Sequence, residues 1–72
     1  MTDLRRALDD LGGYRVSRGR YAYVASDEGQ EIEYTLDADD WRDYGARLRR
    51  GEQDAYSLWC ADTLPTRRRV ES

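Results

Sequence analysis

Residues 35–51 read TLDADDWRDYGARLRRG, and this stretch gives the clearest structural instruction in the chain. Thr35 or Asp37 can cap the first N–H groups of a helix, and Gly51 suits a left-handed residue at its end. Acidic side chains fill the first turns and arginines the last, which complements the helix dipole. Apolar residues form one stripe with a helical period: Ala38, Trp41, Gly45 and Leu48, with Tyr44 beside them. The stretch therefore predicts a central helix.

The segments before this helix predict a shorter helix followed by strands. Thr2 or Asp3 can open a first helix, and Gly12-Gly13 can end it. After Gly13 the period changes to the alternation typical of strands. Three antiparallel strands in a meander are predicted over residues 14–17, 20–25 and 30–34. Turns at Arg18-Gly19 and at residues 26–29 connect them.

The segment after the helix is ambiguous between two structures. Residues 55–61 read AYSLWCA, and the spacing of Ala55, Leu58 and Trp59 suits a helix. Tyrosine, tryptophan and cysteine together in so short a run favour a strand, and a C-terminal strand is the prediction. Leu64-Pro65 would end it, and residues 65–72 have the composition of a solvated basic tail.

These elements together predict a small single α+β domain over residues 1–64. It has an N-terminal helix, a three-stranded antiparallel meander, the central helix packed on the sheet and a C-terminal strand. The chain has 72 residues, with two Trp and six Tyr but no Phe. Its core is therefore expected to be aromatic and thin, so association with a partner or with a second copy would add stability.

The sequence also bounds the environment of the protein. Cys60 is the single cysteine, which excludes an internal disulfide and is expected to be a small buried hydrophobe. No apolar run approaches the ~20 residues of a membrane span, and the first residues do not resemble a secretory signal. A cytoplasmic protein without membrane contact is expected.

Catalytic and metal chemistry has little support in the sequence. The chain has no His and no Lys, so the usual general bases and amine nucleophiles are missing. Asp37-Ala38-Asp39-Asp40 departs from a calcium loop, because Arg42 and Leu48 stand where that loop needs glycine and glutamate. We expect neither an enzyme nor a bound cofactor.

The charge distribution is the main functional observation. The formal net charge is only −3, yet residues 27–43 contain eight carboxylates against one cation, Arg42, which gives a local charge of −7. These acids are expected to form one continuous edge and to bind a partner: Asp27, Glu28, Glu31, Glu33, Asp37, Asp39, Asp40 and Asp43. Such an edge can occupy a site built for a nucleic-acid backbone by meeting its Lys and Arg side chains. The simpler interpretation is a solvated acidic surface that complements the helix dipole.

Two alternative functions remain open at this point. Arginines interleave with tyrosines between Tyr14 and Tyr23, which is typical of a stacking platform for single-stranded nucleic acid, and Arg67-Arg68-Arg69 would add phosphate contacts. Core tyrosines surrounded by solvated arginines explain the same pattern. The other alternative is an antitoxin-like subunit that is stabilised by oligomerisation.

No family motif is present, but the chain is similar in kind to one functional group. Small acidic chains without motifs or catalytic residues occur among phage and mobile-element inhibitors of host defence, such as anti-CRISPR and antirestriction proteins. This resemblance of type implies an inhibitor that occludes a nucleic-acid-binding surface on a larger host protein complex. It implies protein contact without direct binding of nucleic acid.

Overall fold

Three helices lie on one face of a four-stranded antiparallel sheet in the computed structural model, which describes residues 2–63 and 65–70. The predicted α+β class is confirmed. The sheet has the strand order β1-β2-β3-β4. Along the chain the elements are α1 (Asp3–Leu11), β1 (Tyr14–Ser17), β2 (Arg20–Asp27), β3 (Gln30–Asp37), α2 (Ala38–Arg49), α3 (Ala55–Asp62) and β4 (Thr66–Arg69).

Helix α1 begins and ends where the sequence predicts. The hydroxyl of Thr2 accepts a hydrogen bond of 3.2 Å from the backbone N–H of Arg5, as an N-cap does. Gly12 follows the last turn in the left-handed conformation, with φ of 65°. Both caps of α1 are therefore residue types that favour these positions, threonine at the N-cap and glycine at the C-cap.

The predicted central helix is α2, and of its two predicted N-caps, Thr35 and Asp37, the structure uses Asp37. Strand β3 continues through Asp37, so Thr35 and Leu36 are strand residues. Asp37 occupies the N-cap position without a side-chain cap bond, because its carboxylate binds Arg20 at 2.8 Å. The predicted stripe faces inward, with Trp41 and Gly45 buried.

The prediction for residues 55–61 is wrong: they form helix α3. The helical spacing puts Ala55 and Trp59 on the same side, and both are buried. A strand would instead place Tyr56 and Leu58 on one face, and both of these side chains are exposed. Packing around Trp59 thus overrides the strand preference of the local composition.

The C-terminal strand comes from the segment predicted to be a solvated tail. Residues 66–69 form β4, which pairs antiparallel with β3 in the register Thr35↔Thr66 to Ile32↔Arg69. All four residues of β4 are exposed, as in a solvated tail, but the strand pairs with β3 and its arginines bind Asp27 and Glu33. Four residues lie outside the described part of the chain, among them the predicted strand terminator Leu64 and the end of the predicted tail: Met1, Leu64, Glu71 and Ser72.

The core is aromatic, as the composition predicts. Trp41 and Trp59 are its largest fully buried side chains, and their rings are 5.7 Å apart. Tyr44 stacks on Trp59 at 4.7 Å, and Tyr23 meets the edge of Trp41 at 5.6 Å. Cys60 is half-buried and packs against this cluster, which fits its predicted role as a small hydrophobe.

Gly45 allows α1 and α2 to approach each other closely. A Cβ atom at this position would lie 1.7 Å from the backbone oxygen of Asp3 and 2.4 Å from its carbonyl carbon. Backbone atoms cannot move aside as the end of a flexible side chain can. The two helices would have to separate to accept any larger residue.

We predict that Gly45→Ala destabilises the protein by about 1–3 kcal/mol through overpacking. This lowers the melting temperature by roughly 5–20 °C in a domain of this size. Helix propensity alone predicts the opposite sign, since alanine exceeds glycine by about 1 kcal/mol. Thermal unfolding followed by circular dichroism measures the change, with Ser57→Ala on the exposed side of α3 as the control. A melting temperature of Gly45→Ala equal to or above that of the wild type contradicts the close approach.

Candidate interaction surface

The helices cover one face of the sheet and leave the other uncovered. Tyr23 and Leu36 point into the helix layer with their cross-strand partners Tyr34 and Tyr21. Because side chains alternate along a strand, the next residues point away from the helices. We call this second surface the open face, and its members are Tyr14, Val24, Glu31, Glu33 and Arg68.

The predicted acidic residues do not form one continuous edge. Glu31 and Glu33 lie on the open face, Asp27 lies at the hairpin end on the helix-covered side, and Glu28 lies in the turn. The remaining four lie at the opposite end of β3 or on α2: Asp37, Asp39, Asp40 and Asp43. The eight residues of β3 separate its two ends by about 23 Å. The acids are therefore divided into two groups.

Most of these carboxylates are also paired with arginines of the same chain. The five pairs, with their N···O distances, are Asp27–Arg67 at 2.7 Å, Glu33–Arg68 at 3.2 Å, Asp37–Arg20 at 2.8 Å, Asp39–Arg42 at 2.9 Å and Asp43–Arg47 at 3.0 Å. Within residues 2–63 and 65–70, the other three acids make no ion pair: Glu28, Glu31 and Asp40. The local charge of the window is thus largely compensated by the fold.

Among the eight predicted acids, Glu33 is the carboxylate that both a tyrosine hydroxyl and an arginine bind. Only 14% of its side chain is exposed, and the hydroxyl of Tyr14 donates a hydrogen bond of 2.5 Å to it. This hydrogen bond, followed by burial and by the negative charge of Glu33, raises the pKa of Tyr14. Arg68 approaches the carboxylate from β4. Three strands are therefore joined through one carboxylate.

Three partly exposed apolar side chains, which we call the apolar strip, lie on either side of this network. They are Tyr14, Val24 and Val70, which are 41%, 41% and 38% exposed. With Glu33 and two arginines of β4 they line a shallow groove of about 460 Å³. Single exposed apolar residues are ordinary, but these three line the same groove. The open face therefore combines apolar area with fixed charges.

The tyrosines of the first hairpin do not form an exposed platform. Tyr23 is buried, and its hydroxyl is 2.9 Å from that of Tyr56. Burial is the main cause that raises the pKa of Tyr23. Tyr21 is half-buried against the helices, so Tyr14 is the exposed ring of the three. A base-stacking surface would need the other two rings to face outward.

Within residues 2–63 and 65–70, no group of three or more His, Cys, Asp or Glu side chains is placed to hold a metal ion. The same residues include no helix with the length and apolar character that crossing a bilayer requires.

Comparison with protein-family models, with curated proteins and with solved structures gives no match for this chain.

Sequence reasoning missed the apolar strip, although part of its signal was present. The run Arg20–Ala25 places tyrosines at alternate positions, which assigns Val24 to the other face. The contribution of Val70 was not predictable, because it depends on the pairing of β4 with a strand more than thirty residues earlier.

We predict that Glu33→Gln lowers the pKa of Tyr14 toward the ordinary value of about 10, because the bond to the carboxylate is the main cause of the rise. NMR titration of 13C-labelled tyrosine rings between pH 8 and 12 measures the shift. A raised pKa in the folded state stabilises the protein below pH ~10, and this contribution is lost as the pH rises through the folded-state value. The wild type should therefore lose stability in that range more steeply than Glu33→Gln.

The matched control for this titration is Glu31→Gln. Glu31 lies two residues away on the same face, but it makes no contact with the hydroxyl of Tyr14. The pKa of Tyr14 should be unchanged in the control. Equal pKa values for Tyr14 in the wild type and in Glu33→Gln would contradict the network.

Proposed function

We propose that this chain is a non-enzymatic interaction protein that occludes a basic, nucleic-acid-binding surface on a larger protein. The open face and the adjacent β2–β3 turn make the contact. The observation that carries the proposal is the apolar strip on an uncovered sheet face, next to the carboxylates of Glu28 and Glu31, which make no ion pair among the described residues. The continuous edge expected from the sequence is replaced by this smaller surface.

The apolar strip supplies the centre that a protein interface requires. Interfaces combine a buried apolar core with a polar rim, and tyrosine is among the residues that most often anchor them. Tyr14 is held in place by Glu33, so little conformational entropy is lost when a partner covers its ring. A standard interface buries about 800 Å² per partner, roughly a sixth of the 5105 Å² of surface that the protein exposes.

The unpaired acids indicate the sign of the partner's charge. Glu31 is exposed on the open face, and Glu28 lies in the turn at its end. On α2, by contrast, Asp39 and Asp43 already bind arginines of their own helix, and Asp40, which makes no ion pair among the described residues, is half-buried. Carboxylates at the rim of an apolar patch favour Lys and Arg on the opposing surface, and these are the side chains that bind phosphates.

The proposal is tested with two double variants of equal charge change, Glu28→Arg/Glu31→Arg and Asp39→Arg/Asp40→Arg. Each tagged protein is used to capture partners from an extract of the native cell, and the captured proteins are quantified by mass spectrometry. We expect the first variant to lower capture of nucleic-acid-binding proteins by about tenfold or more, because like charges then meet at the rim. The second variant should retain capture. Both variants must first melt close to the wild type.

A competition experiment separates occlusion from direct binding of nucleic acid. Added oligonucleotide should displace the wild-type chain from its captured partner, since both use the same basic surface. Direct, salt-sensitive binding of the oligonucleotide to this chain would favour the alternative of a nucleic-acid-binding regulator. Equal loss of capture in both double variants, or no loss in either, would overturn the open face as the contact surface.

A further inference from the structure

We infer that the outer edge of β3 is a binding site for an extended, arginine-containing segment of another protein, and that the chain's own β4 occupies this site in the structure. The site consists of the β3 backbone with the side chains of Asp27, Glu33 and Tyr34. This inference does not require the proposed function, although the two surfaces share Glu33, and displacement of β4 would remove Arg68 and Val70 from the open face.

Strand β4 is held by specific polar contacts and by very little apolar burial. Its sequence is Thr-Arg-Arg-Arg, and all four residues are exposed. Four backbone pairs align it with β3, and the N–H of Val70 extends the ladder with a bond of 3.0 Å to the carbonyl oxygen of Glu31. It therefore docks in the way that an added peptide strand docks on a sheet edge.

Two adjacent arginines are bound on opposite sides of the sheet. On the helix-covered side, Arg67 forms an ion pair of 2.7 Å with Asp27, and its guanidinium lies 5.5 Å from the ring centre of Tyr34. On the open face, Arg68 forms an ion pair of 3.2 Å with Glu33. A carboxylate and an aromatic face are suited to a planar guanidinium, and less suited to a compact ammonium group. The site therefore selects an extended segment with an Arg-Arg pair.

The energetics allow β4 to be exchanged for an external segment. Both arginine side chains are more than half exposed, and exposed ion pairs contribute only about 0–1 kcal/mol each. The tethered β4 competes at an effective concentration of roughly millimolar. A partner segment that makes further contacts can therefore displace it, whereas a free peptide of the same sequence competes poorly unless β4 is weakened.

The test compares the full-length wild type with the full-length variant Arg67→Gln/Arg68→Gln, which weakens β4 and leaves the site intact. The probe is a fluorescent peptide with the sequence PTRRRV of residues 65–70, and binding is followed by fluorescence anisotropy. We expect the variant to bind this peptide about tenfold more tightly than the wild type. The control peptide PTQQRV should bind about tenfold more weakly than PTRRRV, because it keeps the backbone pairing and loses both ion pairs.

Two further variants assign the contacts. Adding Asp27→Asn and Glu33→Gln to the weakened variant should weaken peptide binding about tenfold, whereas adding Asp39→Asn and Asp43→Asn should leave it unchanged. Exchange of β4 between two copies would appear as a dimer in size-exclusion chromatography of the wild type. Such a dimer would support the binding site on β3, with the external strand supplied by a second copy of this chain.

Two outcomes would overturn the inference. The first is equal or absent binding of the PTRRRV peptide in folded wild type and folded variant, in which case the arginines only protect a sheet edge. The second is failure of the double variant and of both single variants to fold, because β4 would then be an obligatory part of the domain. If only the double variant fails to fold, the same peptide-binding test is carried out with the single variants Arg67→Gln and Arg68→Gln.

Discussion

The contact between two buried indole rings is the interaction on which this structure depends. The indole N–H of Trp41 donates to the backbone oxygen of Tyr21 in β2, and that of Trp59 donates to the backbone oxygen of Asp40 in α2. Each ring therefore fills the core and ties its own helix to a neighbouring element. Among the described residues of a chain without phenylalanine, these two are the largest fully buried side chains. The helix layer is fixed to one side of the sheet by these contacts, and the opposite side is left open.

The second constraint is the number of arginines, which decides what the acidic residues can do. Each of the two strongest basic segments lies beside carboxylates of the 27–43 window: β4 pairs with Asp27 and Glu33, and the last turns of α2 pair with Asp43. The large negative charge of residues 27–43 is therefore mostly neutralised in the fold by ion pairs at the surface. The proposed contacts use what this pairing leaves: the apolar strip, the few acids without an ion pair among the described residues, and the β3 edge if β4 is displaced from it. Both proposals thus rest on the surfaces of strands.

The elements that can be predicted from the sequence are those whose signals lie in neighbouring residues. Helix α1, helix α2 and the two hairpins follow from caps, glycines and hydrophobic period, and these signals act over a few positions. The strand prediction for residues 55–61 is wrong because a helix with Ala55 and Trp59 inward has the same aromatic composition as a strand, and only the packing of Trp59 separates the two. Strand β4 has no local strand signal, since its pairing depends on acids about forty residues earlier. For the candidate site, the sequence identifies the acidic residues. It does not show which of them form ion pairs, because those pairs depend on contacts between residues far apart in the chain.

Hydrogen exchange of the two tryptophan indole N–H protons, followed by NMR, measures whether both rings fix the helix layer to the sheet. Both protons are buried and bonded to backbone oxygens, so their exchange requires opening of the core. We predict that both exchange as slowly as the most protected backbone amides of β2 and β3, and that their rates change in parallel when denaturant is added. Rapid exchange of either indole proton would show that the indole contact does not hold the helix layer in place, because a layer that does not bury both rings would not fix which face of the sheet is open.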